Sequence, residues 1–430
     1  MFVSSAPPGA DKLAYEASYG RIAPGPAGEP AWRIVHSTLP AQVGKTLLPA
    51  QVGPSAEDIE AHAAAAGFLH IGAVPSAWTP VRAWPSAPLV PLNLALLSAS
   101  NAGEVSKLRT ALETGSNAFL VDTAAFVAPS LVEKCYRHTA ALHALPLEVK
   151  KPLHFSLHAD GRGWIPLHGE GAYEDGPVAS HVSTYDLGRD LQADHPAVVA
   201  QLSGCAANVY PPESSIPGFA TDTQALDAGL AKAARAMLDG LAAALHLGSD
   251  AFRPALFNEA TSLGKLRLMA YPGAGTSPAV AAARNVGVAA HTDFEAFTFL
   301  HADATGLQLQ PARPAAWGGR DGLWFESPVP DSSHFVLILS DMLEVLTNGK
   351  AAATTHRVAY VPWPRYSIIR FVGFESNALV APLPGTGTPR YTAVTQSTHL
   401  DRRVAEAEER RRRNAEQGVI PMPEGPPGAE

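Results

Sequence analysis

His291-Thr292-Asp293, with His356 further along, is the part of this chain whose residue types could do chemistry. On a strand, side chains two residues apart share a face, so one short strand can aim the His291 imidazole and the Asp293 carboxylate at one point. A second imidazole, His356, follows 63 residues after Asp293 and can close the set from another strand. Two imidazoles and one carboxylate on one side of a metal make the facial triad that suits non-haem ferrous iron and leaves the opposite side open. His-x-Asp alone is a weak signal in a chain with 16 His and 40 acidic residues. The order of the parts gives it weight. His-Thr-Asp opens an apolar run, Phe294 to Leu300, and His356 comes after the Asn348-Gly349 turn. Arg365 stands nine residues past His356 and Ser367 two past Arg365, so on a strand these two share a face. A guanidinium fork beside a hydroxyl is what a buried carboxylate wants. The chain therefore supplies a cation socket, suited to an organic acid, beside a candidate metal centre.

Further pieces stand around these residues in a fixed order. They are Leu266-Arg267-Leu268-Met269-Ala270-Tyr271-Pro272, His291-Thr292-Asp293-Phe294, Gly306-Leu307-Gln308-Leu309, Ser340-Asp341-Met342-Leu343-Glu344, Thr347-Asn348-Gly349, His356-Arg357-Val358 and Arg365-Tyr366-Ser367. Together they resemble the iron(II)- and 2-oxoglutarate-dependent oxygenases, in the isopenicillin N synthase-like branch. Upstream, Leu145-Pro146-Leu147-Glu148-Val149-Lys150 and Gly163-Trp164 are loosely similar to that family's helical N-terminal region.

The resemblance implies that His291, Asp293 and His356 hold Fe(II). It implies that 2-oxoglutarate chelates the iron, with its far carboxylate on Arg365 and Ser367 and with Tyr271 helping to hold it. O2 then takes the remaining position. The implied reaction oxidises an unactivated C–H of a small organic molecule, with succinate and CO2 as co-products. The outcome is hydroxylation, desaturation or ring rearrangement, and the setting secondary metabolism. Two residues depart from the family pattern. Met269 stands where relatives often carry a polar residue, and a thioether is a poor partner for a carboxylate. Glu295 stands where Gly is frequent, and is open between an outward surface residue and a polar group of the pocket.

Two other readings stay open. One is an iron-dependent oxidase or cyclase of the same fold that uses no 2-oxoglutarate. The other is a non-catalytic jelly-roll binding protein, against which the intact three-ligand set speaks. Arg162, Trp164, Tyr185 and Tyr210 lie where relatives contact substrate. Arg267 shares a strand face with Tyr271 and suits either a carboxylate contact or a structural ion pair. His168, His181, His301 and His334 are expected as surface or hydrogen-bonded core groups, and Arg370, of opposite parity to Arg365, as an outward-facing residue.

The elements that must position these groups follow from periodicity. From Leu263 onward the apolar period changes from 3.6 to 2: Leu266, Leu268 and Ala270 fall on one face, Arg267, Met269 and Tyr271 on the other. Further strands are expected at Val286–His291, Phe297–His301, Gly306–Gln310, Leu323–Glu326, Phe335–Leu339, Arg357–Pro362 and Tyr366–Gly373. The fold class expected is mainly β with flanking α, a double-stranded β-helix (jelly roll) barrel with a helical N-terminal region. Upstream lie a strand at Val90–Leu96, a helix carrying Val105, Leu108 and Leu112 and ended by Gly115, and a strand at Ala118–Asp122. A helix at Ser130–Leu145 stops at Pro146, and a long helix at Asp222–Leu247 is closed by Gly248. Leu400–Gln417 is helical again, with the Arg410–Arg413 run on a solvated face. The divisions are 1–85, an N-terminal extension; 86–255, the helical and strand N-terminal region of the oxygenase; 256–400, the catalytic core; and 401–430, a charged helix and Pro-rich tail. Within the extension, Leu-Pro-Ala-Gln-Val-Gly occurs at 39–44 and again at 48–53, and Ser55–Ala66 reads as a short capped helix.

Composition sets limits. Hydrophobic residues at 46% suffice for a large core, while Pro 38 and Gly 36 favour many short strands. A net charge of −8 speaks against nucleic acid as a partner, because phosphate binding needs a basic face. No run of 18 apolar residues suggests a membrane span, and the first residues lack the pattern of a secretory signal. A cytoplasmic enzyme acting on a small molecule is expected. Cys135 and Cys205 are expected as plain buried thiols. Neither substrate identity nor oligomeric state is encoded in these patterns.

Overall fold

The structure is a computed structural model. It describes residues 85–418 except 174–177, 193, 203, 249–250, 253–255, 259–261, 273–283, 314–316, 318–322 and 360–363, together with five strands nearer the N-terminus. The chain divides into two compact units, Met1–Ala83 and Trp84–Glu430. In the first, strands between Phe2 and His70 form one five-stranded sheet. The repeated hexapeptide, the helix expected at 55–66 and the tail from Ile420 lie outside the described residues.

The second unit is built on two sheets. Their strands are β1 (Val90–Asn93), β2 (Ala118–Asp122), β3 (Gly163–Ile165), β4 (Ser183–Gly188), β5 (Lys265–Tyr271) and β6 (Val288–His291). They continue with β7 (Phe297–Ala302), β8 (Leu307–Leu309), β9 (Phe325–Glu326), β10 (His334–Leu339), β11 (His356–Val358) and β12 (Arg365–Val372). Eight of them run in the order β1-β2-β10-β7-β12-β5-β4-β3, and four in the order β6-β11-β8-β9. All pairings are antiparallel except β1 with β2. The architecture is mixed α/β with several antiparallel sheets.

One face of the larger sheet carries the main core. Leu266, Leu268, Phe297, Phe299, Ile368 and Val372 are buried there. The helices that cover it are α1 (Leu94–Ser98), α2 (Ala102–Thr114), α3 (Pro129–Ala144) and α4 (Phe219–Ala244). The apolar stripe Leu226, Leu230, Met237, Leu241 of α4 is fully buried. Gly115 caps α2 in the left-handed region, at φ 91°. Two further helices, α5 (Asp341–Leu346) and α6 (Gln396–Glu416), follow β10 and β12 in the chain.

Several expectations need correction. The strand at Val90–Leu96 ends at Asn93, whose side chain accepts the Leu96 N–H and starts α1 instead: a capping residue outweighs a short apolar run. The long helix begins at Phe219, where the buried ring packs on His138 and Tyr185, and ends at Ala244 rather than at Gly248. Val286–His291 is two strands. Arg284–Val286 pairs in parallel with Val178–Ser180, and β6 begins after Gly287. A Cβ at Gly287 would stand 2.6 Å from Val358 Cγ1, so the strands approach too closely there for a side chain. Arg370 does face away from Arg365, but it is buried and pairs with Asp227 of α4 at 3.0 Å.

Candidate active site

A cavity of about 470 Å³ lies between the two sheets. The larger sheet lines it with Arg267, Met269 and Tyr271 of β5 and with Arg365, Ser367 and Ile369 of β12; the smaller lines it with Val288, His291, His356 and Val358. This alternation matches the parity read from the sequence.

His291 and His356 are direct cross-strand partners on β6 and β11, with ring centroids 4.2 Å apart. Asp293 follows just past the end of β6, and its Oδ1 lies 3.5 Å from His291 Nε2 and 3.7 Å from His356 Nε2. One ligand atom from each of the three lies within 4.8 Å of the others. Among the described residues this is the one such group found. Each imidazole donates its Nδ1–H to a carbonyl two residues back, Ala289 at 2.8 Å and Thr354 at 3.1 Å. That fixes the tautomer and turns both Nε2 lone pairs toward Asp293. Asp293 Oδ2 accepts the Thr298 hydroxyl of β7. Burial pushes the Asp293 carboxyl up, but His356, His291 and the Thr298 hydroxyl outweigh it and hold the pKa down at about 2. Burial, with His291 alongside, pushes His356 down to about 4, so this imidazole is neutral at pH 7.

Tyr271 and Arg365 face each other across β5 and β12, and Met269 faces Ser367. The Arg365 guanidinium sits 4.7 Å over the Tyr271 ring, donates to the Ala304 carbonyl at 3.2 Å and reaches Ser367 Oγ at 3.4 Å. Arg365 is 2% exposed, and among the described residues no carboxylate lies within 4.0 Å of it. A buried guanidinium without a counter-ion is costly, so this socket fits an anionic ligand. Met269 takes up the Tyr271 hydroxyl at its sulfur, at 3.5 Å.

Toward the other end of the cavity Arg267 forms a bidentate pair with Asp186, at 2.7 and 2.8 Å, and a third bond to Glu170 at 3.0 Å. Glu170 accepts the Tyr173 hydroxyl at 2.8 Å. Glu295 is 8% exposed and lines the cavity; burial foremost, then the Asp293 charge, pushes its carboxyl up to about 8.

Residues 266–373 match the model of the 2OG-Fe(II) oxygenase superfamily. A 2-oxoglutarate-dependent dioxygenase of Monascus ruber is 29% identical over 265 residues, 61% of this chain and 76% of the relative. Another, of Didymella fabae, is 27% identical over 323 residues, 74% of this chain and 93% of the relative. The chain belongs to the 2OG-Fe(II) oxygenase superfamily.

A solved structure of a 2OG-Fe(II) oxygenase family protein from Caulobacter crescentus covers 75% of the chain and 99% of its own, with a TM-score of 0.60 and 25% identity. A dioxygenase for auxin oxidation in rice has the same fold, at a TM-score of 0.54 and 22% identity, over 74% of this chain and 96% of its own. This oxygenase is an Fe(II)- and 2-oxoglutarate-dependent dioxygenase.

The oxygenase also shows where sequence reading fell short. Arg162, Trp164, Tyr185 and Tyr210 do not line the cavity. Arg162 is fully buried and donates to Arg189 O, Gly204 O and Asn208 Oδ1, tying loops together. Of the two uses open to Arg267, the structural ion pair is present. Glu295 is the pocket residue rather than the surface one. His168, His301 and His334 are hydrogen-bonded to Ser180 O, to Tyr136 and Asp331 O, and to the Asp331 carboxylate. Thr298 gave a usable sign, since a hydroxyl one strand residue past Phe297 shares a face with cavity positions. Tyr173 and Glu170 gave none, because loop residues carry no period. Helix α6, whose Arg410–Arg413 run was expected on a solvated face, lines the cavity with Leu400, Val404 and Ala407. Its Arg412 does remain on the outer face with Glu409 and Glu416.

Proposed function

We propose that His291, Asp293 and His356 are the three protein ligands of Fe(II), and that Arg365, Ser367 and Tyr271 receive the far carboxylate of 2-oxoglutarate. What supports this most is the pairing of two features in one cavity: three converging ligand atoms, and a buried guanidinium with no carboxylate of the described residues beside it. When bound, iron, 2-oxoglutarate and O2 supply the oxidising chemistry. The chain's own residues bind, orient and shield. Ala289 O and Thr354 O hold the imidazole tautomers, and Thr298 holds the carboxylate of Asp293. Leu300, Val336 and Val358 line the cavity with apolar surface that keeps water from the reacting centre.

The substrate is a small, largely apolar molecule, oxidised at an unactivated C–H, and secondary metabolism and a cytoplasmic setting are part of the same reading. Within 256–400, strands β5, β7, β10 and β12 of the larger sheet and the four strands of the smaller one are read as the halves of a jelly roll. The region 86–255 supplies its helical support, and the helix running into 401–430 roofs the substrate side. Fe(II)-dependent formation of succinate from 2-oxoglutarate tests the proposal. Succinate should accumulate with the wild-type chain and fall to background with His356→Ala. Iron-dependent oxidation of a substrate without succinate would replace it with the oxidase reading.

A further inference from the structure

The turn that carries the proposed ligand Asp293 is held by the two helices that follow it in the chain. Three successive carbonyls are each taken by a donor from another segment. Asp293 O accepts the Asp341 N–H at 3.0 Å, and Glu295 O accepts the Met342 N–H at 2.8 Å. These two amides open α5, where the first N–H groups of a helix have no acceptor in the helix itself. Phe294 O, between them, accepts the side-chain amide of Gln396 at 3.3 Å.

Gln396 is the first residue of α6 and is fully buried. Its Oε1 accepts the Phe374 N–H at 3.1 Å, so one side chain spans the metal turn and the chain just past β12. The two partners fix the amide's orientation, since a carbonyl needs the NH2 end and an N–H the oxygen end. His399 and Arg403 follow at three and seven residues, on the same face of α6. His399 Nε2 lies 2.9 Å from Asp341 Oδ2, and its ring meets the Phe294 ring edge-on. The Arg403 guanidinium sits 4.6 Å over the Phe294 ring and 3.7 Å from the same Asp341 oxygen. Leu400 and Val404, one residue further on in each case, line the cavity. The helix that walls the cavity thus also fixes the carbonyl and the ring of Phe294, the residue directly after a proposed ligand.

We infer that Gln396 is a positioning residue for the iron centre, seconded by Arg403, and that docking of α6 holds Asp293 where it can meet the two imidazoles. This rests on the proposed Fe(II) ligand set. Residues 292–296 lie between β6 and β7, outside both strands. No sheet ladder therefore aims the Asp293 side chain; the three carbonyl bonds and the Thr298 hydroxyl do. A ligand set has to be held to within about 0.5 Å of its working geometry, so a loosened turn loses metal affinity before it loses the fold.

The test is anaerobic titration of the full chain with Fe(II) alone, beside urea midpoints of the metal-free chain. Gln396→Met, close to the native side chain in volume, should weaken Fe(II) binding about tenfold or more, the effect of removing an outer support of a ligand. Arg403→Ala should weaken it about two- to fivefold, the worth of an exposed cation–π contact, and it carries the test if Gln396→Met fails to fold. The midpoints separate positioning from packing: a purely structural contact lowers the midpoint and leaves the affinity of the folded chain unchanged. Arg412→Ala, on the outer face of the same helix, should bind Fe(II) like the wild type. Wild-type affinity in folded Gln396→Met, or in Arg403→Ala where that variant carries the test, overturns the inference, as does an equal loss in Arg412→Ala. Failure of the wild-type chain to bind Fe(II), or binding undiminished by His291→Ala, instead overturns the reading on which it rests.

Discussion

The Tyr173 ring lies nearly parallel to the His291 imidazole, 4.3 Å between centroids and 11° between planes. Its hydroxyl is tied to Glu170, and Glu170 to Arg267. A loop residue 118 positions upstream of His291 thus sets the plane of a proposed metal ligand. Tyr173→Ala should weaken Fe(II) binding by about tenfold or more, in the range seen when groups orienting a ligand are removed. Tyr173→Phe keeps the stack and should cost less. Anaerobic Fe(II) titration decides, and wild-type affinity in the alanine variant would show that the stack does not orient the ligand.

Arg267 holds two buried carboxylates at once. Arg267→Met should destabilise the fold by about 3–5 kcal/mol, because Glu170 would be left buried without a cation and Asp186 with only Lys265, at 3.6 Å. Denaturant midpoints give the measurement. Adding Asp186→Asn to that variant should recover part of the loss; a double variant no more stable than the single one would argue against trapped charge as the cause.

What was legible in the sequence was whatever repeats along an element. Alternation along β5 and β12 placed Met269, Tyr271, Arg365 and Ser367 on one face, and the His-x-Asp spacing placed His291 beside Asp293. Features set by contacts between distant segments were not legible. The break at Gly287 depends on Val358 of another strand, and the use of Arg267 depends on Asp186 of β4. Helix ends slipped for the same reason: α4 starts at the buried Phe219 rather than at Asp222, and it ends at Ala244, before Gly248.

Arg365→Ala should raise the dissociation constant for 2-oxoglutarate by roughly 30-fold to 5,000-fold, the range for removing one partner of a buried charge pair. Arg365→Lys should not restore it, since an ammonium lacks the planar fork and the stack on Tyr271. Equilibrium titration with 2-oxoglutarate measures this, and unaltered affinity in Arg365→Ala would remove the socket assignment.

Burial, above all, pushes His301 down to about 4, whereas an unfolded histidine titrates near 6.5. The folded state therefore binds fewer protons than the unfolded state between those values, and its stability is lost as pH falls from about 6.5 through 4. His301→Asn should flatten the pH dependence in that window. Urea midpoints of the metal-free chain at pH 7 and pH 5 provide the comparison. An equal drop in both proteins would mean that His301 is not the source.

The most direct test of the central claim is visible absorbance of the chain mixed anaerobically with Fe(II) and 2-oxoglutarate. A metal-to-ligand band is expected with the wild-type chain, absent with Asp293→Ala or His291→Ala, and shifted to higher 2-oxoglutarate concentration with Arg365→Ala. A band of wild-type intensity in Asp293→Ala would contradict it, because the iron would then be held somewhere other than among His291, Asp293 and His356.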